Sequence, residues 1–233
     1  MLKFEDVAVL ELGNIPVIIS SHHDGSETQL YDKELPVVRQ VENDDGINRL
    51  ARLTVDMFFR IHLVKPFFFS YKIRKDRSTV EMFAKYIQKV IEVSAKCLSV
   101  WGKCAVLDLH RFRSHPELPE EIQERYDIWF GTDHRQAVSG GFDRKLAEAL
   151  QETYKTCFGQ TVKIYVPDEN GNEWEKFGAT GKVTLILTKV LGDAFSGMNF
   201  SAVQMEFYKD MVLGHTPIVK LAIALSNAIF KTT

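Results

Sequence analysis

The sequence predicts an α/β fold, a three-layer α/β/α sandwich in which helices cover both faces of a mixed, mostly parallel sheet. Short apolar runs rich in β-branched residues, each bounded by turn residues, alternate with longer runs of helical spacing. Such alternation is typical of a sheet flanked by helices. The 16 phenylalanines suit a thick buried sheet, and 233 residues suit a single domain spanning 1–233.

The strands are predicted from apolar runs that end at turn residues. The first two are separated by a turn at Gly13-Asn14, and the third follows directly after Pro66. The fourth and fifth precede His110 and the pair Gly131-Thr132, respectively. The predicted strands are 7–12, 17–21, 67–71, 105–109, 127–130, 162–166 and 202–207.

The helices are predicted from apolar residues three or four positions apart. One covers 47–63, and a capping box at Ser78-Thr79-Val80-Glu81 opens another that extends to Leu98. Pro119, followed by two glutamates, indicates a short helix. Further helices are expected at 142–157 and 218–230, whereas 183–192 fits a helix or a strand equally well.

Composition excludes several classes of function. A net charge of −2 provides no general attraction to nucleic acid or to an anionic membrane. No apolar run approaches the ~18 residues of a membrane span, and the first residues lack the apolar stretch of a signal peptide. Three cysteines without a C-x-x-C pair predict reduced, mostly buried thiols and a cytoplasmic location. The absence of both glycine-rich phosphate-binding motifs disfavours a nucleotide-binding enzyme.

Two predicted strands end in histidine. The strand 17–21 continues into His22-His23-Asp24-Gly25, and the strand 105–109 continues into His110. Because chemistry in open α/β sheets gathers at the carboxyl ends of strands, two imidazoles delivered there suggest a metal site. Of the first pair we favour His23, since Gly25 allows a tight turn beneath a ligand. A hydrogen-bonded histidine without a metal is the alternative.

Carboxylates accompany these histidines. Asp108 shares a strand face with His110 and could orient its imidazole. The acidic segment 42–46 precedes a helix, where it could either cap that helix or supply a metal ligand. Glu206 lies within an apolar strand, which is costly unless the carboxylate is paired or functional. It could act as general base in a zinc hydrolase, or face solvent if its strand is at an edge.

A basic segment follows the third strand. Arg77, near Arg74 and Lys75, could hold a substrate carboxylate through a bidentate contact. The alternative is a solvated loop with exposed bases, and the same choice applies to Arg111 and Arg113.

Taken in order, these motifs resemble the N-formylglutamate amidohydrolase family. The family's Pro-His-x-Gly is similar to His22-His23-Asp24-Gly25, with His22 at the proline position. Its acidic motif is similar to Asn43-Asp44-Asp45-Gly46, and its Asp-x-His-Ser to Asp108-Leu109-His110-Arg111. The family's Leu-Gly-Thr and Gln-x-Glu are similar to Phe130-Gly131-Thr132 and Gln204-Met205-Glu206.

The resemblance implies a zinc carboxypeptidase-like fold of the phosphorylase/hydrolase-like class. It implies one zinc ion held by His23, Asp44 and His110, with Glu206 as catalytic base; Asp45 and Glu27 are alternative acidic ligands. It therefore predicts a zinc-dependent amidohydrolase that cleaves the C–N bond of a small N-acyl amino acid, with Arg77 on a substrate carboxylate.

Two departures from the family keep other functions open. The family's Val-Asp-x-Asn-Arg motif is reduced to Ile73-Arg74-Lys75-Asp76-Arg77, and Arg111 replaces a serine. These changes motivate a non-catalytic, ligand- or partner-binding member of the same fold. A carboxypeptidase-like peptidase is the third possibility, although its expected His-x-x-Glu is missing because Ser26 follows His23 at that spacing.

Overall fold

The computed structural model describes residues 3–22, 46–73, 78–112, 126–132, 135–167, 182–195 and 197–233. Their strands form one seven-stranded sheet in the order β1-β3-β2-β4-β7-β5-β6. The strands are β1 Ala8–Glu11, β2 Val17–Ser21, β3 Phe67–Tyr71, β4 Lys103–Phe112, β5 Ile128–Gly131, β6 Ile164–Tyr165 and β7 Asn199–Tyr208. The helices are α1 Phe4–Val7, α2 Ile47–His62, α3 Val80–Trp101, α4 Phe142–Phe158, α5 Lys182–Ala194, α6 Lys209–Val212 and α7 His215–Thr232.

The sheet is mixed and mostly parallel, as predicted. Strand β2 runs parallel to both β3 and β4, β4 runs parallel to β7, and β5 runs parallel to β6. The pairs β1–β3 and β5–β7 are antiparallel. The carboxyl ends of β2, β3, β4 and β7 therefore lie at one edge of the sheet.

Helices cover both faces of the sheet and confirm the three-layer sandwich. Side chains of α2, α4 and α7 pack on one face, which we call the α2 face. Side chains of α1, α3 and α5 pack on the opposite face, the α3 face. Alternation along β2 shows the division, because Val17 and Ile19 belong to the α2 face and Ile18 to the α3 face.

The two central strands β4 and β7 are longer than the predicted 105–109 and 202–207. They pair in parallel over ten positions, from Lys103 opposite Asn199 to Phe112 opposite Tyr208. Helices cover both faces of this pair of strands. The ladder of paired residues includes polar residues such as His110 and Glu206, and these are buried. The apolar pattern ended β4 too early because His110 and Arg111 are buried although they are polar. Strand β7 begins three residues earlier than predicted, at Asn199, and ends one residue later, at Tyr208.

Other elements differ at their ends. The ambiguous segment 183–192 is the helix α5. The predicted strand 7–12 is shorter, because Phe4–Val7 forms a helical turn before it, and the predicted strand 162–166 is reduced to β6. The short helix predicted at Pro119 lies outside the described residues. None of the helices in the described part of the chain is long and apolar enough to cross a membrane.

Helix α3 begins one residue later than the predicted capping box implies. Its N-cap is Thr79, not Ser78, and the Thr79 hydroxyl accepts a hydrogen bond from the Met82 amide at 3.3 Å. Ser78 instead bonds to the Tyr71 hydroxyl at 2.8 Å. The cap thus uses the second hydroxyl of the motif.

Replacing Thr79 with alanine is expected to lower the free energy of unfolding by about 1 kcal/mol, because one terminal amide loses its acceptor. Urea denaturation would measure the change. Thr188→Ala, which removes a hydroxyl bonded to the Thr184 carbonyl within α5, is the control and should not be destabilising to this extent. Equal stability of the wild type and Thr79→Ala would contradict the cap.

Two of the three cysteines are buried, in agreement with the prediction of mostly buried thiols. Cys97 on α3 and Cys104 on β4 are buried, whereas Cys157 near the end of α4 is exposed.

Candidate metal centre

Six polar side chains form two rows across the α3 face, at the carboxyl ends of β2, β4 and β7. In the first row, Asp108 lies between its register partners Ser20 and Gln204. In the second row, His110 lies opposite Glu206, and its ring centroid is 4.5 Å from that of His22. All six side chains are buried. We call them the inner row (Ser20, Asp108, Gln204) and the outer row (His22, His110, Glu206).

The Asp108 carboxylate connects the two rows. Its Oδ1 is 2.8 Å from Nδ1 of His22, and its Oδ2 is 3.0 Å from Nε2 of His110. The Oδ1 atom also accepts a hydrogen bond from the Ser20 hydroxyl at 2.9 Å. Both carboxylate oxygens are therefore engaged, which fixes the plane of the group.

The charge of Asp108 is set by its neighbours. Burial by itself would raise the pKa of this carboxyl, but the charges and hydrogen bonds of His22 and His110 outweigh it and hold the pKa well below its usual range. An ionised carboxylate only accepts hydrogen bonds, so the imidazole nitrogens that face it carry the protons. In the neutral tautomers the lone pairs are then on Nε2 of His22 and Nδ1 of His110.

A buried tyrosine lies behind this arrangement. The Tyr86 hydroxyl on α3 is 2.6 Å from Oγ of Ser20. Burial raises the pKa of Tyr86 well above its usual value, and the nearby Asp108 charge raises it further, so the phenol stays protonated. Because the Ser20 proton is directed to Asp108, Tyr86 is the donor to Ser20.

Glu206 is oriented from its own strand. Its Oε1 accepts a hydrogen bond from Nε2 of Gln204 at 2.8 Å and lies 4.0 Å from Nδ1 of His110. The strand β7 has neighbours on both sides, so the alternative of an edge position with Glu206 facing solvent is wrong. A carboxylate beside an imidazole lone pair is suited to proton transfer and to binding a cation between them.

Aromatic side chains border the rows on two sides. The Phe83 ring of α3 lies 5.4 Å from the His22 ring between centroids. Trp129 on β5 is the antiparallel partner of Glu206 and is fully buried, with the tilted Tyr165 ring 4.4 Å from it between centroids. Aromatic surroundings of this kind lower the local dielectric constant and so strengthen the electrostatic interactions between the two rows.

The outcome for the predicted residues is divided. The structure brings His110 and Glu206 together and places Asp108 on His110 as predicted. His23, Asp44 and Arg77, together with the alternatives Glu27 and Asp45, lie outside the described residues and stay predictions. Arg111 is buried on β4, which excludes the exposed alternative for that residue.

The residues that sequence reasoning left without a role are His22, Ser20 and Tyr86. Gly25 and the family resemblance, which places His22 at a proline position, both favour His23 over His22. Strand alternation would have identified His22, because residues two positions apart lie on the same face of a strand. Three polar pairs have this spacing at the ends of apolar strands: Ser20 and His22, Asp108 and His110, and Gln204 and Glu206.

The described residues fit a metal ion. His22, Asp108 and His110 can each direct a ligand atom so that all three lie within 4.8 Å of one another. Two imidazoles and a carboxylate are donors that zinc prefers. Asp108 can act as a ligand itself, or it can hold both imidazoles from behind while their other nitrogens coordinate.

Comparison with known proteins supports the fold. No protein-family model and no curated protein matches the chain. Among solved structures, the N-formylglutamate amidohydrolase of Ralstonia eutropha JMP134 aligns with a TM-score of 0.60 and 11% identity, over 97% of this chain and 96% of that chain. A gene product of Agrobacterium tumefaciens aligns with a TM-score of 0.59 and 14% identity, over 97% and 94%. These likenesses establish the fold.

A metallo-carboxypeptidase of Burkholderia cenocepacia aligns less well, with a TM-score of 0.42 and 14% identity over 97% of this chain and 60% of that chain. At such identities a structural likeness shows the fold alone, and the chemistry has to be argued from the two rows.

Proposed function

We propose that this protein is a metal-dependent amidohydrolase that cleaves the C–N bond of a small N-acyl amino acid. The observation that carries the proposal is the buried outer row, in which Glu206 lies 4.0 Å from His110, one of three residues whose ligand atoms are close enough to share a metal ion. The likeness in fold to an N-formylglutamate amidohydrolase supports the same class of substrate.

The metal would be zinc, held by His22, His110 and Asp108 or by a set that includes His23 and Asp44. Bound zinc supplies a nucleophile at neutral pH and polarises the scissile carbonyl. The chain's own contribution is to hold two imidazoles through Asp108 at 2.8 and 3.0 Å in a buried, preorganised site.

Glu206 would serve as general base. Gln204 holds the Glu206 carboxylate at 2.8 Å, which directs it along the outer row toward His110. From this position it would remove a proton from the attacking water and deliver it to the leaving nitrogen. Arg77 would bind a substrate carboxylate, which limits the substrate to a small acidic molecule.

The test is elemental analysis of the purified protein, followed by hydrolysis assays with N-formyl, N-acetyl and N-succinyl amino acids and with short peptides. We expect about one zinc per chain and turnover of an N-acyl amino acid that a chelator abolishes and added zinc restores. Peptide cleavage alone would favour the peptidase. Bound zinc without turnover of any substrate would favour the binding protein.

His22 and His23 can be separated by the same assays. The single variants His22→Ala and His23→Ala are compared with His215→Ala, which changes an exposed histidine at the start of α7. The variant that loses zinc identifies the ligand, and His215→Ala should retain it. The proposal fails if wild-type protein binds no stoichiometric metal and both variants keep wild-type activity.

A further inference from the structure

We propose that Ser20 and Tyr86 are positioning residues that fix the Asp108 carboxylate, and through it both imidazoles, in the orientation that binds metal. This inference rests on the proposed metal site and adds two residues that do not touch the metal. It is carried by an unbroken chain of hydrogen bonds that runs from helix α3 through β2 to β4.

The first step is geometric. Tyr86 donates to Ser20 at 2.6 Å, and Ser20 donates to Oδ1 of Asp108 at 2.9 Å. The same oxygen also accepts a hydrogen bond from Nδ1 of His22. Rotation of the carboxylate about its Cβ–Cγ bond would therefore break two hydrogen bonds at once. With the carboxylate plane fixed in this way, the position of Oδ2 is also fixed, and Oδ2 accepts the hydrogen bond from Nε2 of His110.

The second step concerns the Tyr86 hydroxyl. The Tyr86 ring packs among aromatic rings, with Phe83 stacked at 6.1 Å and Phe69 edge-on at 6.2 Å. A phenylalanine would provide the same packing, because these contacts involve only the ring. The bond to Ser20 offsets the cost of burying the hydroxyl, since a buried hydroxyl without a partner is costly.

The third step concerns Ser20. The neighbouring strand β3 carries Ser70, which is equally buried and whose Oγ has no hydrogen-bond partner among the residues described. Burial of a serine hydroxyl in this sheet therefore does not by itself produce a hydrogen-bonded network. The link from Ser20 to Asp108 and Tyr86 is a specific feature of the inner row.

The experiment compares Ser20→Ala and Tyr86→Phe with matched controls. Ser70→Ala removes a buried strand hydroxyl, and Tyr71→Phe removes a buried phenol that bonds to Ser78 at 2.8 Å. Neither control hydroxyl contacts Asp108 through the described hydrogen bonds. Zinc affinity is measured by competition with a chromogenic chelator, and imidazole tautomers in the metal-free protein are measured by long-range ¹H–¹⁵N NMR.

We expect Ser20→Ala to weaken zinc binding about 10–100-fold, the usual effect of removing a group that orients metal ligands. Tyr86→Phe should weaken it about 2–10-fold, the value of one hydrogen bond. Both should also replace the single tautomers of His22 and His110 by averaged signals, whereas both controls should match the wild type.

Unchanged zinc affinity and unchanged tautomers in Ser20→Ala and Tyr86→Phe would overturn the inference. Equal losses in all four variants would also overturn it, because they would indicate a general effect on packing. If the wild type takes up no zinc, the proposed function fails, and the NMR signals of the metal-free protein still decide whether Ser20 and Tyr86 position the imidazoles.

Discussion

Replacing Glu206 with glutamine is expected to lower kcat/KM for N-acyl amino acid hydrolysis by about 10²–10⁴-fold, the usual contribution of a general base. This loss corresponds to about 2.7–5.4 kcal/mol of transition-state stabilisation. Glutamine has the same shape and can still meet the Gln204 amide, so the fold should be retained. Steady-state kinetics on zinc-loaded protein would measure the effect, with zinc content determined in parallel.

Glu11→Gln is the control for this variant. Glu11 is a partly buried glutamate on the edge strand β1 that forms ion pairs with Lys65 at 2.8 Å and Arg52 at 2.5 Å. It belongs to neither row, and its loss should leave kcat/KM unchanged. A Glu206→Gln protein with full zinc content and wild-type kcat/KM would eliminate Glu206 as the base.

Replacing Asp108 with asparagine is expected to lower the free energy of unfolding of the metal-free protein by about 3–5 kcal/mol, the usual cost of removing one partner from a buried ionic pair. Asparagine cannot accept on both sides of its side chain, so at least one imidazole must either change its tautomer or lose its hydrogen bond. Denaturant titration measures the stability, and zinc affinity should also fall at least tenfold.

Asp143→Asn separates a general cost of burial from the effect on the metal. Asp143 is another fully buried aspartate, and it pairs with Arg135 at 3.3 Å away from the two rows. This variant should lose stability and keep wild-type zinc affinity. If Asp143→Asn weakened zinc binding as much as Asp108→Asn, Asp108 would have no special role.

Stability in acid provides a further test of Asp108. The folded-state pKa of Asp108 is depressed, whereas a free aspartate has a pKa of about 3.9. The unfolded chain therefore binds the extra proton first, and the contribution of Asp108 is present above about pH 4 and lost as the pH falls toward the folded-state pKa. Asp108→Asn should lack this part of the pH dependence. Identical acid-unfolding curves would contradict it.

The sequence predicts the fold well where local signals are strong. The bounds of β2 and β3 agree with the structure because Pro16 and Pro66 directly precede these strands and the polar residues His22 and Lys72 follow them. The carboxyl end of β4 could not be predicted from hydrophobicity, because His110 and Arg111 are polar and become buried only through pairing with β7, a strand distant in sequence.

The candidate site was predicted in location and only partly in membership. Strand alternation placed Asp108 with His110, and an apolar strand made Glu206 conspicuous. The role of Tyr86 depends on how helix α3 packs against β2, which no local pattern encodes. The choice between His22 and His23 depends on where β2 ends, and the structure buries His22 on the same face as Asp108.

The parallel alignment of β2, β4 and β7 has a consequence for folding fidelity. Successive side chains of a strand point to opposite faces, so a slip of β4 by one residue would turn Asp108 and His110 into the apolar layer beneath α2 and α7. Such a misfolded chain could keep much of its secondary structure while losing every contact to Asp108. The amount of metal bound per chain after refolding would therefore measure the fraction of molecules in which the central strands are paired in the correct register.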